Sequence, residues 1–581
     1  MRTETIKLMS THHRSVTTAV CPVGKYRPFP GVTLFERTWP ANTVTKAPRW
    51  CSVDLRDGNQ ALAVPMTVEQ KIAMFQLLVG CGFKEIEVGF PFASPTEFGF
   101  IRQLIDEGLI PDDVTIQVLT QAREEQIIRT VESLVGAKKV IIHLYNSTSP
   151  AQRRIVFGKS KAEIMQIAVQ GTQWVKKYAA DLAARGTKVT FQYSPESFSA
   201  TEVEFAVEIC EAVADVWEPT PKNKMILNLP NTVEVAGPNV YADQIEYFCR
   251  HFGRRDSVII SLHTHNDRGT GVASTELGLL AGGDRVEGTL FGNGERTGNL
   301  DIVTVALNLF TQGINPGLNF FNLGDIREGY ESCTGMTVPA RQPYSGELVF
   351  TAFSGSHQDA IKKGLAEWAR GEQKNWDVPY LVIDPADVNR HYRETIRVNG
   401  QSGKAGVTWL LEQSGIFLPR GLQLEFGPIA GKLIDAIGKE VTAVEVRDMF
   451  CNEYVGSEGD ELILRDFPYV LESFDVYPVS QGQMFRCRSV IRRRGEQISL
   501  SGEGNGPIAA FVAALKASAG EEIEVLDYHE HAMETGAPAP AIAYVHIRFS
   551  DGETRWGVGI DTNSARASIR AIVSALSRRH S

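Results

Sequence analysis

Eight short apolar runs recur between residues 51 and 291, and a longer amphipathic stretch follows each one. They cover residues 51–57, 85–89, 114–120, 140–146, 189–193, 225–229, 258–265 and 285–291. Val, Ile and Phe dominate most of them. Several read apolar almost throughout, as strands buried on both faces do. The stretches between them carry helix-start signals. Thr67 with Gln70, Ser160 with Glu163 and Thr201 with Glu204 each have capping-box spacing. Residues 241–252 and 303–313 supply further helices. Eight strand–helix units over roughly 260 residues match a (β/α)8 barrel in number and length. The rival is a doubly wound open sheet, which usually shows a glycine-rich fingerprint after its first strand. None follows residues 51–57. The expected fold class is α/β: a TIM barrel, a linker subdomain, and a C-terminal α+β domain.

This assignment has a geometric consequence, because catalytic groups of such barrels sit at the C-terminal ends of strands. Asp57 ends strand one. His263 and His265 end strand seven, and alternation along a strand puts both on one face. The loop after strand eight, Gly292-Asn293-Gly294-Glu295-Arg296-Thr297-Gly298-Asn299, adds Asn299. Strands seven, eight and one are neighbours once a barrel closes, so these four residues converge at one rim. Two nitrogens and two oxygens without thiolate suit a six-coordinate divalent cation with open positions. Magnesium is the first choice, and manganese and zinc are admissible. The open positions suit the ketone and carboxylate oxygens of a 2-oxo acid, whose carbonyl the metal would polarise. Arg56, next to Asp57, is placed to neutralise developing alkoxide charge or to form a salt bridge within the rim.

Other strand ends are polar as well. Glu87 ends strand two, His143 strand four; Ser194 and Glu196 follow strand five; Asn228 and Thr232 flank strand six. A glutamate in a closed pocket can be tuned for proton transfer, and Glu196 is the candidate by position, with a capping role as the alternative. The glycines of the loop after strand eight serve tight turns, and backbone N–H groups there also favour anions. No strand end offers the lysine that carboxyl transfer usually needs.

A chain of 581 residues leaves room for two to four domains. The remainder beyond the barrel divides into an N-terminal arm (1–45) rich in Pro and Gly, the barrel (46–325), linker subdomains (326–425), and a C-terminal domain (426–581). The last contains a weak repeat. Strands 485–490 and 497–501 precede a helix over 508–519, and strands 543–549 and 555–560 precede one over 565–578. Residues 397–404 read as an exposed glycine-rich loop or hinge and 536–541 as a loop of small side chains, and the C-terminal domain as a dimerisation domain. The net charge of −10 disfavours a nucleic-acid partner or an anionic membrane. No apolar run reaches the roughly 20 residues of a membrane span, and residues 1–20 lack a signal peptide's apolar core, so a cytoplasmic location is expected. The eight cysteines form no CxxC pair and are expected to be free buried thiols.

Four motifs carry a family resemblance. Asp54-Leu55-Arg56-Asp57-Gly58-Asn59-Gln60, Glu85-Ile86-Glu87-Val88-Gly89-Phe90-Pro91, His263-Thr264-His265-Asn266-Asp267 and the 292–299 loop together resemble the 2-isopropylmalate synthase family. This is a branch of the metal-dependent Claisen-condensing barrel enzymes. Tyr193-Ser194-Pro195-Glu196, Asn228-Leu229-Pro230 and Ser354-Gly355-Ser356-His357-Gln358-Asp359 narrow it to the long-chain members. The resemblance implies condensation of acetyl-CoA with 3-methyl-2-oxobutanoate and thioester hydrolysis, the first committed step of leucine synthesis. It implies that Asp57, His263, His265 and Asn299 hold the metal and that Arg56 polarises the keto acid. His143, Ser194 and Thr232 would contact that acid, and Leu119, Asn228 and Pro230 would shape its pocket. Glu196 with His357 and Tyr380 would handle protons, the last two covering the active site of a partner subunit in a homodimer. A potassium ion as activator and leucine as feedback effector complete the expectation. The resemblance thus implies a leucine-binding regulatory domain at the C-terminus, with 536–544 the first stretch to consider. Sister condensations giving homocitrate or citramalate use the same metal set. A catalytically dead amino-acid sensor is the alternative outside catalysis.

Overall fold

The computed structural model describes residues 22–352, 354–390, 403–437, 441–455, 467–479, 484–534 and 539–579. The chain forms two compact units, one of Met1–Phe320 with Asp325–Val338 and one of Phe321–Gly324 with Pro339–Ser581.

The first unit is a closed eight-stranded parallel barrel, its strands in sequence order. The strands are β1 (Arg49–Ser52), β2 (Glu85–Gly89), β3 (Thr115–Gln121), β4 (Lys139–Ser147), β5 (Lys188–Glu196), β6 (Met225–Asn231), β7 (Val258–Thr264) and β8 (Arg285–Gly288). The intervening helices are α1 (Val68–Gly80), α2 (Pro95–Asp106), α3 (Glu124–Ser133), α4 (Lys161–Ala184), α5 (Val203–Trp217), α6 (Pro238–His251), α7 (Gly271–Leu280) and α8 (Ile302–Thr311). Closure is made by β1 on β8, with Cys51 opposite Glu287 and Ser52 opposite Gly288.

Two of the three expected capping boxes form, at Thr67/Gln70 and Ser160/Glu163. The third does not. Thr201 spends its hydroxyl on Ser197 O (2.9 Å) and Thr148 Oγ1 (2.8 Å), and α5 begins after Glu202 without a side-chain cap. The strand expected over 51–57 is also shorter. β1 stops at Ser52, and Asp54–Gly58 winds into one π-helical turn. Such turns recur at functional sites, because the extra residue re-aims side chains. Asp54 anchors this one. Its carboxylate accepts Ser52 Oγ at 2.8 Å and the Leu290 N–H at 3.2 Å. Residues 35–39 of the N-terminal arm are bonded to α6. Arg37 forks onto Asp243 at 2.5 and 2.7 Å, and Trp39 Nε1 donates to the same carboxylate at 2.8 Å.

The barrel interior holds an apolar cluster of Ile141, Ile226 and Ile259 and a polar network as well. Gln117, Gln192, Arg285 and Glu287 are fully buried. Arg285 donates to Gln117 Oε1, Ser261 Oγ, Glu85 and Glu287, so the buried charges are paired and hydrogen-bonded.

After the barrel come α9 (Leu323–Thr334), α10 (Gly355–Trp368), α11 (Gly403–Gln413), α12 (Arg420–Ile437) and α13 (Ala443–Tyr454). The repeat then appears as two three-stranded antiparallel sheets, each followed by a helix. The first is β9 (Tyr469–Val479), β10 (Met484–Arg493), β11 (Glu496–Gly504) and α14 (Pro507–Ala519); the second is β12 (Ile523–Ala532), β13 (Ala541–Phe549), β14 (Thr554–Asp561) and α15 (Ser564–Arg579). Phe511, Leu515, Ile547, Ile572 and Leu576 belong to one shared core between the halves. Two strands per repeat are legible in the sequence, whereas β9 and β12 are not. Both are edge strands whose burial shows no regular alternation. Residues 397–402 and 536–538 of the two expected loops lie outside the described residues. The described cysteines are all free, and five of them (Cys51, Cys81, Cys210, Cys333, Cys487) are buried. No helix among the described residues is long and apolar enough to cross a membrane.

Candidate active site

The two histidines and the loop after β8 are tied together by main-chain bonds. His265 forms an antiparallel bridge with Asn299. Leu300 N–H donates to Thr264 O at 2.9 Å and Asn266 N–H to Gly298 O at 3.1 Å. The loop therefore doubles back along the end of β7. Gly298 makes this possible: its φ is +103°, and a Cβ there would lie 1.9 Å from Gly292 O. Arg296 clamps the outside through Asp267, with Nε to Oδ1 at 2.7 Å. Thr264 points the other way, donating to Gly271 O at 3.1 Å.

At the rim Asp57, His263, His265 and Asn299 are all buried. His263 Nε2 lies 3.1 Å from Asp57 Oδ2 and 3.0 Å from Asn299 Oδ1. His265 Nε2 lies 3.8 Å from Asp57 Oδ2. Ligand atoms of Asp57, His263 and His265 all fall within 4.8 Å of one another. The donor set, two imidazoles with carboxylate and amide oxygens and no thiolate, is of the kind that holds a divalent cation.

The electrostatics agree. Burial would pull the His263 imidazole down, but hydrogen bonds to Asp57 and Glu287 push it up to about 9. Burial and the neighbouring His263 charge bring His265 down to about 4. Against burial, Arg56 and the imidazoles hold Asp57 far below the ordinary carboxylate range. Of the two imidazoles only His263 is held protonated, and a cation entering the site would displace its Nε2 proton.

Arg56 bridges two carboxylates. Its NH1 lies 2.9 Å from Asp57 Oδ1, and its Nε donates to Glu87. Glu87 in turn meets His143 Nδ1 at 2.7 Å, and His143 Nε2 meets Ser194 Oγ at 2.7 Å. Asn228 Nδ2 donates to the same hydroxyl at 3.0 Å. A cavity of about 200 Å³ opens above these groups. Arg56, Asp57, Leu119, His143, Ser194, Glu196, Asn228, Pro230, Thr232, His263 and His265 all line it; of the barrel residues singled out above, Glu87 lies beneath Arg56 and His143 without lining it, and Asn299 meets His263 Nε2 at 3.0 Å. Ser194, Glu196 and Asn228 are part of their strands and do not merely flank them. Glu196 accepts a hydrogen bond from Ser147, and Thr232 Oγ1 accepts the Ser197 N–H at 2.9 Å.

Tyr145 also lines the cavity and was missed, as were the buried Gln117, Gln192, Arg285 and Glu287. Tyr145 stands two residues after His143 on β4, so strand alternation would have found it.

His357 and Tyr380 belong to the second unit, where their rings stack at 4.0 Å with an interplanar angle of 26°. Tyr380 does not continue an extended segment; its φ of +65° puts it in a turn. In the C-terminal repeat Ile542, Ala543 and Tyr544 are fully buried in β13. A cavity lies between the start of α14 and β12, walled by Pro507, Ile508, Val512, Lys516, Ile523 and Val525.

Three family models match the chain in order: "HMGL-like" over residues 47–329, "Alpha-isopropylmalate synthase, post-catalytic domain-like" over 347–412, and "LeuA allosteric (dimerisation) domain" over 440–580. Three relatives named 2-isopropylmalate synthase match along almost the whole chain. The protein of Parafrankia sp. (strain EAN1pec) is 55% identical over 96% of this chain and 97% of its own length. Those of Rhodospirillum rubrum and Clostridium acetobutylicum are 53% and 51% identical, each over 95% of this chain and 98% and 99% of their own lengths. With this barrel, these motifs and relatives of such identity along their full length, the chain belongs to the 2-isopropylmalate synthase family.

Proposed function

We propose that this protein condenses acetyl-CoA with 3-methyl-2-oxobutanoate and hydrolyses the thioester, giving 2-isopropylmalate and CoA at the entry to leucine synthesis. The observation that carries the reading is the convergence of Asp57, His263, His265 and Asn299 beside Arg56, in a cavity whose wall includes Leu119 and Pro230. Family membership supports it.

The four ligand residues would hold a divalent cation, magnesium by preference, with manganese and zinc also compatible with the donor set. When bound, the cation supplies Lewis-acid polarisation of the ketone. Arg56, fixed from both sides by Asp57 and Glu87, stabilises negative charge developing on the ketone oxygen. His143, Ser194 and Thr232 orient the acid, while Leu119, Asn228 and Pro230 bound the space for its isopropyl group. Glu196 stands at the cavity for proton transfer, with His357 and Tyr380 serving the active site of the partner subunit in a homodimer.

The domain organisation that goes with this function is an arm over 1–45, a catalytic barrel over 46–325, linker subdomains over 326–425 and a regulatory domain over 426–581. Leucine is the effector of the last, and the apolar cavity between α14 and β12 has the character its side chain requires. A cytoplasmic location suits a reaction that draws on acetyl-CoA. Incubation with acetyl-CoA, 3-methyl-2-oxobutanoate and magnesium, with mass-spectrometric identification of the product acid, tests the proposal; a product other than 2-isopropylmalate would refute it.

A further inference from the structure

Glu287 sits in β8 beneath the rim, fully buried, and its two oxygens have different partners. Oε1 accepts from Arg285 NH1, from Gln192 Nε2 at 2.7 Å and from Gln117 Nε2 at 3.3 Å. Oε2 faces His263 Nδ1 at 2.8 Å. Arg285, two residues earlier on the same strand face, is fully buried as well and is held by Gln117 Oε1 and Ser261 Oγ, both at 2.8 Å. An isolated carboxylate at this depth would be costly, and its pairing with Arg285 offsets that.

An ionised carboxylate only accepts, so the nitrogen facing Oε2 must carry a proton. We propose that Glu287 is a positioning residue that fixes the proton of His263 on Nδ1, leaving the Nε2 lone pair aimed at the point between Asp57 Oδ2 and Asn299 Oδ1. The inference rests on the metal reading above. Arg285 and Gln192 saturate Oε1 and so orient the carboxylate with Oε2 towards the imidazole.

Glu287→Gln is nearly isosteric and separates positioning from packing. Arg285 and Gln192, both donors, hold the amide oxygen where Oε1 was. The amide nitrogen then faces His263 and donates, which requires Nδ1 to accept. The ring proton moves to Nε2, where it blocks ligation. Groups that orient a ligating imidazole typically change metal affinity by about 10–100-fold.

The test uses full-length, metal-stripped protein and Mn²⁺ alone as the probe, with free Mn²⁺ followed by electron paramagnetic resonance. Wild type, His263→Ala, Glu287→Gln and the double variant are compared. The expected result is a Kd for Mn²⁺ raised about 10–100-fold by Glu287→Gln, with no further loss when it is added to His263→Ala. A Kd within about twofold of wild type, or an undiminished loss in the His263→Ala background, overturns the proposal. Should Glu287→Gln fail to fold, Glu287→Asp decides, since it keeps the charge beside Arg285 but draws the oxygen back from Nδ1. A raised Kd in that variant supports the assignment and an unchanged one overturns it. Wild type that binds Mn²⁺ no better than His263→Ala would refute the metal reading itself. Wild type that binds Mn²⁺ while Glu287→Gln binds it equally well refutes only the role of Glu287.

Discussion

Asp57 Oδ2 stands 3.1 Å from His263 Nε2, although 206 positions separate the two residues in sequence. Only closure of the barrel between β8 and β1 brings them together. Replacing His263 by Ala removes one nitrogen of the proposed metal-holding set and leaves the backbone of β7 paired on both sides. Loss of Lewis-acid stabilisation worth about 4 kcal/mol or more would lower kcat/KM by at least roughly 10³-fold. Circular dichroism should stay unchanged, and steady-state thiol release measures the loss. Near wild-type turnover would remove His263 from the site.

Arg56→Lys should be damaging despite keeping the charge. One guanidinium reaches Asp57 and Glu87 together, and an ammonium on a flexible stem cannot reproduce that fork. The expected loss is in kcat, about 10²-fold, with KM for the keto acid changing much less. A raised KM with kcat intact would make Arg56 a binding residue only.

Leu119 is nearly buried against the cavity. Truncation to Ala should enlarge the space proposed for the isopropyl group. The ratio of kcat/KM for 4-methyl-2-oxopentanoate over 3-methyl-2-oxobutanoate should rise about tenfold, the scale of one or two methylenes in an apolar pocket. An unchanged ratio would place the branched group elsewhere.

Asp54 gives a stability prediction. Burial drives its pKa up to about 7 despite hydrogen bonds from Ser52 and Leu290. The unfolded value is about 3.9, so between these limits the folded state binds the extra proton. Its contribution therefore becomes less favourable as pH rises from about 4 to about 7, and the penalty is fully present above that. Asp54→Asn keeps groups that can pair with Ser52 and Leu290 but cannot ionise. Relative to wild type it should be near neutral in thermal midpoint at pH 5 and stabilising at pH 8. Equal differences at both pH values would contradict this.

The barrel was legible because strands buried on both faces leave nearly continuous apolar runs. The rim follows from closure, which joins Asp57, His263, His265 and Asn299 from the strand order alone. Strand ends were less legible. The π turn at Asp54–Gly58 is set by Asp54 reaching the Leu290 N–H, a contact 236 positions away that no local pattern reveals. The interior polar network was hidden for a related reason. Gln117, Gln192 and Glu287 read as interruptions of apolar strands, although together with Arg285 they form one network. Thr201 shows the same limit, with capping spacing in the sequence and a tertiary partner in the fold.

The central claim concerns which carbonyl the site accepts. Thiol release from acetyl-CoA should be followed with 3-methyl-2-oxobutanoate, pyruvate and 2-oxoglutarate in turn, with magnesium present. The account predicts that kcat/KM is highest for 3-methyl-2-oxobutanoate by at least about tenfold, as an apolar pocket built for a branched chain should give. Faster turnover of pyruvate or 2-oxoglutarate, or no thiol release with any of the three, would contradict it.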